Sequence, residues 1–544
     1  MTEEASPSWN ARKSAVVVTL LATLICFHLL VTSHTPRGRF NVMQFVSVAF
    51  FLIVIVRHWT TAAVPAVESA DLKGRRSGLI LAMVVAAGVW SFMLPSGFVS
   101  DDFALLYGAR QPGLAGLWRF MDLQGGLFLR PVGFASIFLD YRLWQQWAPG
   151  YHLTNLVIHL AAIAAFYFLC EYLRLGTEAA TTASLIYAVL PVHAEAVAWM
   201  GCRFDLLGEC LVIVAAVLYL KFRKSGSRVV YLGALVCFVL AALSKETAFV
   251  FPVLLFFAEY LIMPERRYRH LLSFFIVAAA LFGLRWWALG GIGGYTDSSG
   301  EPATFNIGFK TLEGLFIRGP AVMLLGYNWL QPPLMAVSLL ASFTGAVLLV
   351  LAWCARPARV DPGLRLFCLA WMIVAILPAH PLLMIGAGLT NSRVLHLGSA
   401  GLAVLLAYLL GGFASARFRR VHVALLACLL SLATLHNLAA WRWTSRLSQD
   451  LLSEVQQLEP TPAPNTQFVF YNLPDTIRGV FFFHEGLLEA VRMAYGRDDL
   501  SVTRILGSPP ANSPPETGNP VVRLEWKGEA GPLLGRLPGR AAEN

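Results

Sequence analysis

Two adjacent carboxylates, Asp101 and Asp102, follow a long apolar run (Leu79 to Leu94) that Pro95-Ser96-Gly97 closes. Consecutive side chains diverge in helix and strand alike, so the two acids do not share one proton. One can act as general base toward a hydroxyl while the other holds a metal or positions the loop. Ser-Asp-Asp before Phe-Ala-Leu-Leu-Tyr is equally a good helix cap.

A second group is Pro191-Val192-His193-Ala194-Glu195-Ala196-Val197-Ala198-Trp199, followed by Arg203 and Asp205. Pro191 ends or kinks the preceding helix and leaves His193 and Glu195 in a turn. Charges at a bilayer centre cost at least about 2.5–3.5 kcal/mol each, so Glu195, Arg203 and Asp205 are expected to crowd the interface. There they bind a ligand or form ion pairs that only fix topology. In Ser244-Lys245-Glu246-Thr247, the whole connection between two apolar stretches, Lys245 either snorkels or holds a phosphate as a point charge. Arg393, in Asn391-Ser392-Arg393, is suited to a bidentate phosphate grip or to anchoring at the interface. Arg130 precedes Pro131, and His152, Asn155 and His159 share one helical face, which favours inter-helix hydrogen bonds over ligation. Asp102, His193 and Glu195 offer mixed donors for a divalent metal, although no spacing demands one.

The elements that position these groups are mostly membrane helices. The 544 residues are 57% hydrophobic and only 14% charged, against about 25% charged in soluble domains. The formal charge of +10 comes from Lys and Arg in short clusters between apolar stretches. That is the signature of cytoplasmic loops, and nucleic acid is not an expected partner. The eight cysteines form no CxxC, which excludes a zinc or disulfide framework of the usual kind. About thirteen stretches approach the length of a membrane span, the first near 15–33 and the last near 421–440. Alternation puts the main basic clusters on one side, with Arg37 and Arg39 against the rule. The N-terminus is then cytoplasmic and the C-terminus periplasmic or extracellular. Loops 96–149, 191–203, 290–333 and 381–396 fall outside, and the candidate chemistry with them.

From Ser445 the composition changes. Strand-like segments at 467–471, 501–505 and 521–526 and a helix-like stretch at 481–495 predict a small C-terminal α/β domain, with a disordered tail from Ala530. The fold expected is an all-α polytopic membrane protein carrying this extracytoplasmic α/β domain. Its divisions are 1–77 (two N-terminal helices and a cytoplasmic loop), 78–444 (the catalytic membrane part) and 445–544.

The acidic pair, Gly150-Tyr151-His152-Leu153-Thr154-Asn155-Leu156-Val157-Ile158-His159, the Pro191–Trp199 block with Gly201, Arg203 and Asp205, and Ser244-Lys245-Glu246 occur in that order. Together they resemble the GT-C superfamily of polyprenyl-phosphate-sugar glycosyltransferases. Within it they are similar to the transmembrane and TPR-repeat-containing O-mannosyltransferases and their bacterial homologues. The likeness covers roughly 78–440, without a TPR array, and the family's usual Glu-Arg-Tyr-Leu-Tyr-Leu-Pro-Ser loop is here Asn391 to Ser399, so that only Arg393 carries over.

The resemblance implies a GT-C-like fold in which Asp101 or Asp102 is the catalytic base and Lys245, Arg393 and Arg203 bind the carrier phosphate. His193, Glu195, Asp205, Glu246, Arg130 and His152 support these groups or bind the acceptor. The expected reaction moves a monosaccharide, mannose first, from a polyprenyl-phosphate donor to a protein or glycan hydroxyl with inversion, in a bacterial plasma membrane. A lipid-linked-sugar flippase or other transporter, and a non-catalytic scaffold binding glycan or protein, are the alternatives.

Overall fold

The computed structural model describes residues 28–30, 33, 35–58, 72–122, 128–294, 303, 307–332, 335–354, 361–412, 415–507 and 520–537. Six helices among these are long and apolar enough to cross a bilayer: Pro36–Ile55, Arg76–Met93, Ala148–Tyr172, Tyr268–Leu289, Pro362–Leu382 and Ala416–Leu458. A seventh crossing is available if Thr177–Ala188 and Pro191–Ala198, bent by 45°, count as one. The chain is a multi-pass membrane protein.

The difference from thirteen has several sources, among them the 23-residue helix Arg203–Ser225, in which Asp205, Glu209 and Lys221 interrupt the apolar run. Nearly all of 15–33 lies outside the described residues. Other expected spans are short helices, such as Phe251–Leu261, Arg228–Ala242 and Ser399–Gly411. Eleven residues of helix rise only about 16 Å, half of a bilayer's apolar thickness of about 30 Å. Several interruptions follow from the residues themselves. Pro191, which has no N–H to continue a helix, opens a 3-10 turn, Pro191–His193, after the Thr177–Ala188 helix has ended.

The bundle core is aliphatic and aromatic, with a few buried polar ties. The Trp90 indole N–H donates to Ala188 O at 2.8 Å, and Asn437 Nδ2 donates to both Pro191 O and Gly326 O. These bonds hold the bent segment against Arg76–Met93 and Ala416–Leu458.

The last of the long apolar helices, Ala416–Leu458, is 43 residues of unbroken α-helix, about 65 Å long. It passes straight through the expected boundary at 445. Its second half presents Leu447, Leu451 and Val455 to a second core. That core takes in Phe98, Phe103, Leu106 and Phe134 from the first loop, and Phe468, Phe470, Phe482 and Phe483 from the C-terminal region.

The C-terminal sheet has four strands among the described residues. β1 (Gln467–Tyr471) runs parallel to β4 (Ser501–Ile505) and β5 (Val521–Trp526), with Phe468 opposite Val502 and Val522. β6 (Leu534–Arg536) is an antiparallel edge on β5. The helix Leu487–Tyr495 lies between β1 and β4 in sequence, and the small hairpin β2 (Thr476–Ile477) and β3 (Val480–Phe481) precedes it. All three expected strands form. The helix-like stretch begins six residues late because Val480 and Phe481 pair with the preceding strand. The expected disordered tail is corrected at its start: Glu454 accepts from the Leu533 and Leu534 N–H groups, and both leucines are buried. Residues 538–544 lie outside the described residues.

Candidate functional site

Asp101 and Asp102 begin the helix Asp102–Ala109, and they have different surroundings. Neither caps it in the usual way: the Asp101 side chain makes no cap bond. Asp102 turns inward, is 1% exposed, and accepts Val99 N–H at Oδ2 (3.0 Å) and Gly201 N–H at Oδ1 (2.9 Å). Burial pushes its carboxyl up from 3.8 to about 8, against the pull of those two N–H groups. Asp101 is partly exposed and, among the described residues, its side chain accepts the Ser100 hydroxyl at 2.9 Å. The adjacent carboxyls therefore differ in accessibility, as diverging side chains should.

Gly201 leads into the helix Arg203–Ser225, whose first turn carries Arg203 and Asp205. Arg203 is fully buried. Its Nη2 pairs with Asp140 Oδ2 at 2.7 Å, and its other donors reach Asn155 Oδ1, Ser136 Oγ and Tyr151 O. Asn155 in turn donates to Val197 O and Trp199 O. Arg203, expected to bind phosphate, thus braces the loop and is not among the residues lining the cavity beside Lys245 described below. His152 is buried on the same helix as Asn155.

Asp205 Oδ2 receives Lys245 Nζ at 2.9 Å in a buried ion pair. Beside it, Glu246 accepts both Nε (2.8 Å) and Nη2 of Arg130. Burial works to raise the Glu246 carboxyl, but the charges of Arg130 and Lys245 hold it well below the usual range. Arg285, near the end of the helix Leu272–Leu289, adds a third cation to this neighbourhood.

Lys245, Glu246 and Arg285 line a cavity of about 190 Å³ whose other walls include Phe249, Phe282, Leu382 and Val394. The lining thus combines charged groups with aromatic and aliphatic ones. Arg285 was not singled out from the sequence, although a lone Arg before Trp286-Trp287 in an apolar run is itself a signal. Asp140 and Glu209, acids within apolar stretches, carry the same one.

Glu195 is almost wholly consumed by the 391–393 loop. Its carboxylate accepts Asn391 N–H (3.2 Å), Arg393 N–H (2.9 Å), the Ser392 hydroxyl (3.4 Å) and Arg393 Nη1 (2.8 Å). The suggested metal set of Asp102, His193 and Glu195 is not brought together, because both acids are spent on other partners. Among the described residues His193 clusters instead with His159 and His396.

Four segments distant in sequence therefore meet through Asp102–Gly201, Asp205–Lys245, Glu246–Arg130 and Glu195–Arg393. Comparison with known proteins adds a direct finding. A protein O-mannosyl-transferase of Caenorhabditis elegans is 35% identical over 120 residues, covering 22% of this chain and 17% of the relative. The mouse protein O-mannosyl-transferase TMTC3 is 27% identical over 175 residues, 30% of this chain and 19% of the relative. The chain resembles the protein O-mannosyl-transferases. The matched stretch is less than a fifth of the length of each of these two relatives. No protein-family model matches.

Among solved structures, ArnT from Cupriavidus metallidurans bound to undecaprenyl phosphate aligns over 78% of this chain and 85% of its own, at 12% identity and a TM-score of 0.45. The oligosaccharyltransferase AglB from Archaeoglobus fulgidus, in complex with an inhibitory peptide and a dolichol-phosphate, aligns over 91% and 65%, at 13% identity and a TM-score of 0.35.

Proposed function

We propose that the chain is an inverting membrane glycosyltransferase that moves a monosaccharide, mannose first, from a polyprenyl-phosphate carrier to an acceptor hydroxyl outside the cytoplasm. The observation that carries this reading is the cavity beside Lys245 and Arg285. It offers cations to a phosphate and an aromatic and aliphatic wall to the chain attached to it. Arg130, Lys245 and Arg285 stand against Glu246 and Asp205, which leaves one positive charge for a lipid phosphate.

In this mechanism Asp101 takes the proton of the acceptor hydroxyl, whose oxygen attacks the anomeric carbon on the face opposite the carrier phosphate. The sugar–phosphate bond breaks with its electrons going to the phosphate oxygen, and Lys245 and Arg285 stabilise that charge. Arg393 supports this cradle from the loop that Glu195 holds. Asp102 positions its neighbour by tying the first loop to Gly201. A protein or glycan is the acceptor, the N-terminus lies inside and the C-terminal sheet outside. The names of the curated relatives support mannose and a protein acceptor.

Purified protein in detergent with radiolabelled polyprenyl-phosphate mannose and an acceptor extract tests the proposal. Transfer of label to acceptor is expected. Movement of the labelled lipid across a vesicle membrane without transfer would instead identify a flippase.

A further inference from the structure

Behind Glu195 and Arg393 lie His159, His193 and His396, all fully buried, with one ligating nitrogen from each within 4.8 Å of the others. They come from three segments: the middle of Ala148–Tyr172, the turn Pro191–His193, and the residue after the turn Ser392–Leu395. Ring centroids are 4.1 Å apart for His193 and His396, 5.5 Å for His159 and His396, and 5.6 Å for His159 and His193.

His159 Nδ1 and His396 Nε2 are separated by 3.4 Å. That is long for a hydrogen bond from N–H, which prefers about 2.9–3.0 Å to oxygen. It matches the edge of about 3.3–3.4 Å expected between two nitrogens bound tetrahedrally to zinc at about 2.0–2.1 Å.

Two of the three outer nitrogens have the partners that metal-bound imidazoles usually have, while that of His159, Nε2, is buried without a hydrogen-bond partner. Ser399 Oγ donates to His396 O at 2.6 Å, so it accepts from His193 Nε2 at 2.7 Å. His193 therefore carries its proton on Nε2 and a lone pair on Nδ1, and Nδ1 is buried with no hydrogen-bond partner. His396 Nδ1 lies 2.7 Å from Glu209 Oε2 and 3.2 Å from the Tyr187 hydroxyl. A proton on Nδ1, donated to the Tyr187 hydroxyl beside Glu209, leaves His396 Nε2 facing His159. Glu209, 2% exposed, would offset part of a cation's charge.

We propose that His159, His193 and His396 bind one divalent transition-metal ion, zinc by preference, which clamps the loops bearing Glu195 and Arg393 to the Ala148–Tyr172 helix. Three neutral imidazoles and no thiolate suit zinc among the common biological cations. The site does not depend on the transferase reading.

The test is metal analysis of the full chain purified in detergent, followed by chelation and titration with cobalt(II). About one equivalent of zinc per chain is expected. The metal-free protein should develop the visible d–d absorption of tetrahedral cobalt, and zinc should raise its unfolding temperature. His193→Gln and His396→Gln should lose the metal, and His422→Gln, on the exposed start of Ala416–Leu458, should keep it. If the variants fail to fold, the cobalt spectrum of the unaltered chain decides. A folded protein that carries no metal and gives no cobalt absorption overturns the proposal and leaves a hydrogen-bonded imidazole network.

Discussion

Glu195 and Arg393 are joined twice: the carboxylate takes the Arg393 guanidinium at 2.8 Å and its backbone N–H at 2.9 Å. Both side chains are buried, so removing either partner strands the other. Breaking a buried pair costs about 3–5 kcal/mol, much of it from the charge left behind. Glu195→Ala is expected to lower the unfolding midpoint in detergent and abolish transfer. Glu195→Gln, which keeps an acceptor for the loop N–H groups, should lose less stability. Equal loss in the two variants would count against this role.

Asp101 and Asp102 should separate in kinetics and in pH dependence. Asp101→Asn is expected to lower kcat by about 10²–10⁴-fold with little change in donor KM, as for loss of a general base. Asp102 has its carboxyl at about 8 in the folded protein and at 3.8 in the free residue. Between these values the folded chain holds a proton that the unfolded chain has released. Stability from this group therefore falls as pH rises from about 4 to 8, by at most about 1.4 kcal/mol per pH unit, and is level beyond. Unfolding midpoints of Asp102→Asn across that window should show a shallower decline than those of the unaltered chain.

Arg285 is expected to act on donor binding. Hydrogen bonds to charged groups contribute about 1.5–3 kcal/mol, so Arg285→Gln should raise donor KM by roughly 10–100-fold while kcat changes less. Steady-state kinetics against donor concentration measure this directly. An unchanged KM would remove Arg285 from the phosphate site.

Gly486 links the C-terminal unit to the first loop. Its φ is +77°, and a Cβ there would stand 2.4 Å from Ser100 O. Glu485 N–H also donates to Ser100 Oγ, the group that binds Asp101. Gly486→Ala should therefore destabilise the contact by about 1 kcal/mol or more and lower transfer by displacing Ser100 and Asp101. The unfolding of the membrane bundle should be nearly unaffected. Full activity in this variant would show that the sheet does not position the acid.

Much of this was legible in the chain because a charge in an apolar run is conspicuous. Glu195, Lys245 and Arg393 stand out for that reason, and the strands at 467–471, 501–505 and 521–526 are β-rich segments set between turns. The pairings were not legible. Nothing local to Arg203 indicates that Asp140, Asn155, Ser136 and Tyr151 will consume its donors, because that depends on packing between distant segments. Arg285 was passed over as part of a span, and the His159, His193 and His396 cluster was hidden because its members belong to three different motifs. The length of Ala416–Leu458 is not legible because the apolar pattern ends near 440, while helical geometry continues on amphipathic residues that only a second core could justify.

That helix works like a keyed shaft. Each residue advances it by about 1.5 Å and turns it by about 100°, so the bearing of the sheet toward Asp101 is set by the residue count between Ala440 and Leu447. One added alanine there would swing the Leu447, Leu451 and Val455 face well away from the phenylalanines it now meets. Seven would restore the heading to within about 20° yet lift the sheet by about 10 Å, out of reach of Ser100. Substitution in this stretch should be far better tolerated than any change of its length.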